Sequence, residues 1–259
     1  MDTNELSIAT GVVTGAAHRR LGRNGQDAAS AWCGSRAAAV VVCDGCSGGI
    51  SSEVGAVLGA RLAIRALASR LDAGASPADP ALWAGVRAEL AGAIRALAGN
   101  DVRTLEDCLL FTIVAGAVDR EHAAVWAIGD GAYAIGGTAR RLGPFAENRP
   151  PYLAYDLIGE PSRATFETAA PATLVVATDG AFDLAHDLAH DLAHADGALD
   201  LARFTAPRFT EHPDALRREL AVLARGDERI DWDARRIERT PAALQDDCAI
   251  GVIRVEAAR

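Results

Sequence analysis

Residues 6–13 (LSIATGVV) alternate between apolar and polar positions, a period of two that predicts a strand. Residues 15–27 (GAAHRRLGRNGQD) are polar and turn-rich and read as a loop. AASAWC and RAAAVVVC then read as two strands joined at Gly34-Ser35. The second is apolar throughout, as a strand covered on both faces would be, and it runs straight into Asp44-Gly45. Ser51 or Ser52 can cap a helix over about 52–71, with Glu53 in its first turn and apolar positions at 54, 57, 58, 62, 64 and 67. AGASPADP breaks that pattern, and a second helix over about 79–98 ends at Gly99-Asn100. Strands resume at 108–118, 122–131 and 132–137, with ARRLG after them, in a meander with tight turns. ENRPPYLAYDL (147–157) is Pro-rich and reads as a loop or edge element. TLVVATDG (173–180) is another buried strand ending in Asp-Gly. Residues 182–226 look mainly helical, and the last strand, 248–257, is entered through Asp246-Asp247. Strands come in runs with helices in pairs between them. That is an α+β layering of antiparallel sheets, not a βαβ alternation.

Composition narrows the class. The 259 residues are 50% hydrophobic and 24% charged, too apolar for a disordered chain. No composition shift divides them, so the whole of 1–259 reads as a single domain. The net charge of −9 argues against nucleic acid and anionic membranes and suits a protein that gathers cations. Every basic residue is Arg. No apolar run is long enough to span a membrane, and the start, MDTNELSIATG, does not read as a signal peptide. The five cysteines (33, 43, 46, 108 and 248) are irregularly spaced, with one C-x-x-C, so a reduced cytoplasmic location without structural zinc is expected.

Four aspartates share one context. Asp44, Asp130 and Asp179 each follow an apolar strand beside glycine, and Asp246 precedes one beside a second aspartate. Asp-Gly at a strand end is ordinary turn chemistry for any one site. Four carboxylates converging at one sheet rim would repel one another unless cations lay among them. Oxygen-only ligands select Mg²⁺ or Mn²⁺, and two such ions can activate a water and clamp a phosphate. There is no G-x-G-x-x-G after the first strand and no P-loop.

Five segments in order carry a resemblance: HRRLGRNGQDA at 18–28, VVVCDGCSGG ending at Gly49, VWAIGDG at 125–131, LVVATDGAFD at 174–183 and QDDCAIGVI at 245–253. Over nearly its whole length the chain resembles the metal-dependent protein phosphatases, the type 2C (PPM) serine/threonine phosphatases, in their compact bacterial branch. The resemblance implies a four-layer α-β-β-α sandwich, two mainly antiparallel sheets flanked by helix pairs. It implies that Asp44 bridges two Mn²⁺ or Mg²⁺ ions and that the Gly45 carbonyl holds one of them. Asp179 and Asp246 would hold the other, and Asp27 a bound water. A third ion, common in bacterial members, would fall to Asp130, Asp179 and Asp183. A metal-bridging hydroxide would attack phosphoserine or phosphothreonine in line, with Arg20 or Arg23 holding the phosphate; Arg19 lies in the same loop. The partner implied is a phosphorylated protein, opposed to a Ser/Thr kinase, with the enzyme a cytoplasmic monomer in bacterial signalling. The stretch 195–245 reads as a variable flap. Its arginines (217, 218, 225, 229, 235, 236 and 239) would meet acidic phosphopeptides or form a solvated surface.

Three departures matter. Gln26 stands where many members have Glu. The motif from Asp44 to Gly49 is one residue longer than D-G-x-G-G and lacks the His proposed as general acid in animal members, leaving a bound water or His18 to protonate the leaving group. Asp107-Cys108 replaces a small Ala-Thr pair, a change expected to be structural. Beyond these three, Asp247 stands where Asn is frequent. Gln26 and the missing His keep open a second reading, a pseudophosphatase that binds a phosphoprotein or partner without turnover. A third is hydrolysis of small phosphometabolites. Cys43 and Cys46 bracket Asp44 and read as a redox switch or, more simply, as unpaired thiols. The repeat DLAHDLAHDLAH (183–194) reads as an exposed helix with histidines at metal-ligand spacing. Trp32, Trp83 and Trp126 read as packing residues.

Overall fold

The computed structural model describes residues 5–160, 162–184, 199–212 and 214–256. Most of the DLAH repeat lies outside the described residues. The strands are β1 Glu5–Val13, β2 Asp27–Cys33, β3 Ala38–Gly45, β4 Phe111–Val118, β5 Ala123–Ile128, β6 Gly131–Ile135, β7 Thr138–Leu142, β8 Thr165–Ala169, β9 Leu174–Ala177, β10 Asp227–Asp231, β11 Arg236–Thr240 and β12 Cys248–Glu256. The helices are α1 Ala16–Leu21, α2 Ser52–Asp72, α3 Pro80–Ala98, α4 Val102–Cys108, α5 Arg208–Glu211 and α6 Ala215–Leu223. Two five-stranded antiparallel sheets, ordered β1-β12-β9-β6-β7 and β2-β3-β4-β5-β8, carry the fold, and β10-β11 form a separate hairpin.

The unbroken apolar run of β3 has a direct cause. Its Val40 and Val42 join Val114, Val125, Tyr133, Leu174, Val176 and Ile253 between the sheets. Val41 and Cys43, on the opposite face, pack on Ala56, Ala60, Leu67, Val86 and Leu90 of α2 and α3. The outer face of the first sheet (Val175, Ala177, Ile250 and Val252) is covered by Phe204, Phe209, Leu216 and Leu220. The result is an α-β-β-α sandwich in which each buried Val or Leu contributes about 1.5–3 kcal/mol of burial. Small residues let α2 approach: a Cβ on Gly55 would meet the backbone at Cys108, and one on Gly59 the ring of Phe111. Asp79 caps α3 by accepting the Ala81 N–H, with Pro80 in the first turn. Trp83 and Trp126 are buried and stack with centroids 6.1 Å apart, while Trp32 is half-buried.

Several elements differ from the sequence expectation. Residues 16–21 form a short helix in place of the loop, because Ala16 and Ala17 donate to the Leu244 and Gln245 carbonyls, a contact no local pattern reveals. The strand expected from 108 starts at Phe111, because Asp101 caps α4 and carries the helix through Cys108. Residues 146–148 and 153–157 make short 3₁₀ turns. The stretch 195–245 divides. Leu201, Phe204, Phe209, Leu216 and Leu220 are buried in the helical layer, while the exposed β10-β11 hairpin stands outside it.

Candidate metal centre

The acidic residues gather where strands of both sheets end. Asp27 opens β2 directly opposite Asp44 near the end of β3. Asp130 sits in the turn from β5 to β6 between Gly129 (φ 97°) and Gly131 (φ 127°), conformations that only glycine adopts without strain. Asp179 begins the 3₁₀ turn that follows β9, and Asp246-Asp247 lead into β12. Carboxylate oxygens of Asp44, Asp130 and Asp179 all lie within 4.8 Å of one another.

The surroundings hold these groups in place. Thr178 Oγ1 donates to Asp27 Oδ2 at 2.6 Å and accepts the Ala249 N–H at 2.9 Å, so one hydroxyl ties β2 to β12. Gln26 Nε2 donates to Ser52 Oγ at 2.6 Å, and its carbonyl accepts the Gly45 N–H. A Cβ on Gly45 would press on Ser52 at 2.7 Å. Asp183 Oδ2 accepts the N–H groups of Gln245 and Asp246 at 2.8 and 3.0 Å, which fixes the segment carrying Asp246. Gly180 packs so tightly that an added Cβ would fall on the Asp247 carbonyl oxygen.

Electrostatics show what the cluster demands. Burial, then the charges of neighbouring aspartates, hold Asp27 and Asp44 well above the usual carboxylate range. Burial with Asp130, Asp246 and Asp183 nearby pushes Asp179 up to about 7. Asp130 and Asp246 are raised as well, mainly by burial. Asp130 Oδ1 is buried and has no hydrogen-bond partner among the described residues. An orphaned carboxylate oxygen inside an all-oxygen donor set fits a hard divalent cation.

A stability prediction follows. Raised folded-state values mean that the folded chain binds more protons than the unfolded one between about pH 4 and 7. In EDTA the melting temperature should therefore fall as pH rises through that window. Mn²⁺ should restore more of it at pH 8 than at pH 5.5, since cations compete with protons for the same oxygens. Thermal melts at the two pH values, with and without Mn²⁺, check this; a flat profile in EDTA would contradict it.

Arg19, Arg20 and Arg23 are exposed. Arg20 donates to Gln245 Oε1 at 3.2 Å, Arg19 donates to the Ala224 carbonyl, and both line a groove of about 720 Å³ with Asp227, Glu228, Arg239 and Gln245. Arg23 lines a smaller pocket, of about 220 Å³, with Asn24, Gln26 and Glu53. Arg217, Arg236 and Arg239 pair with surface carboxylates. All five cysteines are free, and burial pushes the Cys43 thiol well up, which makes it a poor nucleophile. Sequence reasoning assigned no part to Thr178 or Asp247. A hydroxyl immediately before Asp-Gly was the available signal for the first. Asp247 is 3% exposed and accepts the N–H of Gly15 and Gln26, partners more than 200 positions away, so no local signal existed.

Comparison places this arrangement among known proteins. The family description "Protein phosphatase 2C" matches residues 14–222. No curated protein matches the chain by sequence. Staphylococcus aureus serine/threonine phosphatase Stp1 is similar in structure, with a TM-score of 0.61 at 13% identity, covering 99% of this chain and 98% of that one. The catalytic domain of the serine/threonine phosphatase PstP in complex with two manganese ions gives 0.56 at 17% identity, covering 98% and 100%. The Bacillus subtilis SpoIIE phosphatase domain with a fragment of its regulatory domain gives 0.51 at 14%; all of this chain spans 65% of that structure.

Proposed function

We propose, from the premise that this chain belongs to the protein phosphatase 2C family, that it hydrolyses phosphoserine and phosphothreonine in protein substrates with the help of divalent cations. The observation that carries the reading is the convergence of Asp44, Asp130 and Asp179, of which Asp130 keeps a buried oxygen with no hydrogen-bond partner among the described residues. Bound Mn²⁺ or Mg²⁺ would supply Lewis-acid activation of the attacking water and neutralise phosphoryl charge.

The chain's own residues would supply the rest. Asp44 would be shared between two cations, with the Gly45 carbonyl on one and Asp179 and Asp246 on the other. Asp27, steadied by Thr178, would hold an ordered water. Asp130, Asp179 and Asp183 would take a third cation, Asp183 through the oxygen that the backbone amides leave open. Arg20 or Arg23 would clamp the phosphate bidentately. In this reading 1–259 is a single catalytic domain, a cytoplasmic monomer opposed to a Ser/Thr kinase. Among the described residues no helix is long and apolar enough to cross a membrane.

Turnover of a phosphothreonine peptide in Mn²⁺ and in EDTA tests the proposal, with a sugar phosphate alongside. Peptide hydrolysis that needs Mn²⁺ and exceeds sugar-phosphate hydrolysis is expected. A folded protein that binds the peptide without turnover would instead be a binding module, and a preference for the sugar phosphate would make it a metabolite phosphatase.

A further inference from the structure

We infer that His18 is the proton donor to the leaving serine or threonine oxygen, held for that task by Asp247; the inference rests on the phosphatase reading above. His18 lies on α1, and its Nδ1 is 2.7 Å from Asp247 Oδ2. Asp247 Oδ1 accepts the Gly15 N–H at 2.7 Å, and Oδ2 also accepts the Gln26 N–H at 2.6 Å. Both oxygens therefore serve as acceptors, and the hydrogen shared with His18 sits on Nδ1. That fixes the tautomer and the aim of the ring, with Nδ1–H toward Asp247 and Nε2 left for another partner.

Nε2 makes no hydrogen bond among the described residues, and the imidazole is 13% exposed, so a ligand entering from solvent can reach it. The ring is placed beside the acidic cluster twice over. Asp247 directly follows Asp246, and α1 is stitched to the same segment through the Leu244 and Gln245 carbonyls. Arg20, two residues on, bonds Gln245. His18 and Arg20 are therefore both tethered to the segment that carries Asp246. The other two histidines among the described residues are engaged elsewhere: His122 bonds Ser76, and His212 closes α5.

The chemistry calls for such a group. A serine or threonine alkoxide is a poor leaving group unless protonated as it departs. As the bond from the attacking water's oxygen to phosphorus forms and the P–Oγ bond breaks, the imidazolium, protonated on both nitrogens, passes its Nε2 proton to Oγ and is left as the neutral ring with its hydrogen on Nδ1. The attacking water releases a proton to solvent, and solvent reprotonates the imidazole. The segment from Asp44 to Gly49 offers no histidine for this step.

Leaving-group dependence tests the assignment. His18→Gln should lower kcat on a phosphothreonine peptide by about 10²-fold or more, with KM changed far less. The fall should be at least about tenfold larger than on p-nitrophenyl phosphate, whose leaving group departs readily as an anion. Asp247→Asn should move the same ratio in the same direction, since an amide there can donate to Nδ1 and reverse the tautomer. Equal losses on both substrates would show a structural role and overturn the inference, as would an undiminished peptide rate. If the variants do not fold, ¹⁵N NMR of the wild-type imidazole decides: a hydrogen on Nδ1 supports the assignment, and an unprotonated Nδ1 overturns it. Absence of wild-type turnover on either substrate would count against the phosphatase reading itself.

Discussion

Asp44→Asn is expected to abolish metal-dependent turnover, with a loss of about 10³-fold or more in kcat/KM on a phosphothreonine peptide. Asp44 lies half-buried near the end of β3, opposite Asp27 and within reach of Asp130 and Asp179. An amide keeps the size of the side chain but removes the charge that a cation would meet. Several kcal/mol of charge stabilisation are lost with a ligand, and each 1.4 kcal/mol is tenfold in rate. The fold should survive and even gain in EDTA, because the carboxylate that burial and the charges of Asp27, Asp179 and Asp130 disfavour is gone. Kinetics in a Mn²⁺ titration and melts in EDTA read both effects. A variant as active as wild type would end the mechanism proposed for this site. One with lost activity and a lowered melting temperature in EDTA would point to a structural role instead.

Gly180→Ala is expected to be the most damaging change of a single methyl. The added Cβ falls on the Asp247 carbonyl, which is backbone and has no rotamer by which to yield. Overpacking of that kind costs about 3 kcal/mol, or about 6–12 °C in melting temperature for a chain of this size. Asp179 precedes Gly180, and Asp246 precedes Asp247, so the strain separates two residues of the cluster at once. Mn²⁺ affinity should fall with stability. Calorimetric Mn²⁺ titration beside a thermal melt checks this; an unchanged affinity would show that the turn moves without the carboxylates.

Much of this was legible because burial writes itself into sequence. β3, β9 and β12 are covered on both faces, so their apolar runs stand out, and the aspartates at their ends were found through them. β10 and β11 carry no such mark: Arg229, Glu238 and Arg239 face solvent on a hairpin that covers no core. β8 is an edge strand with three of its five residues exposed, too weak a pattern to read. α1 was hidden for another reason, since its first amides are satisfied by carbonyls near the other end of the chain. The same distance concealed what Asp247 binds. The aspartates announced themselves locally, whereas the groups that aim them did not.

The two sheets meet at this cluster. Asp27 and Asp44 belong to the second sheet, Asp179 and Asp246 flank strands of the first, and Asp130 sits on the turn that passes from one to the other. A cation lodged among them would act as a rivet through both plates of the sandwich. The edge that performs chemistry is then also the edge most inclined to spring open under its own repulsion. Closing the two plates and arming the site become a single event.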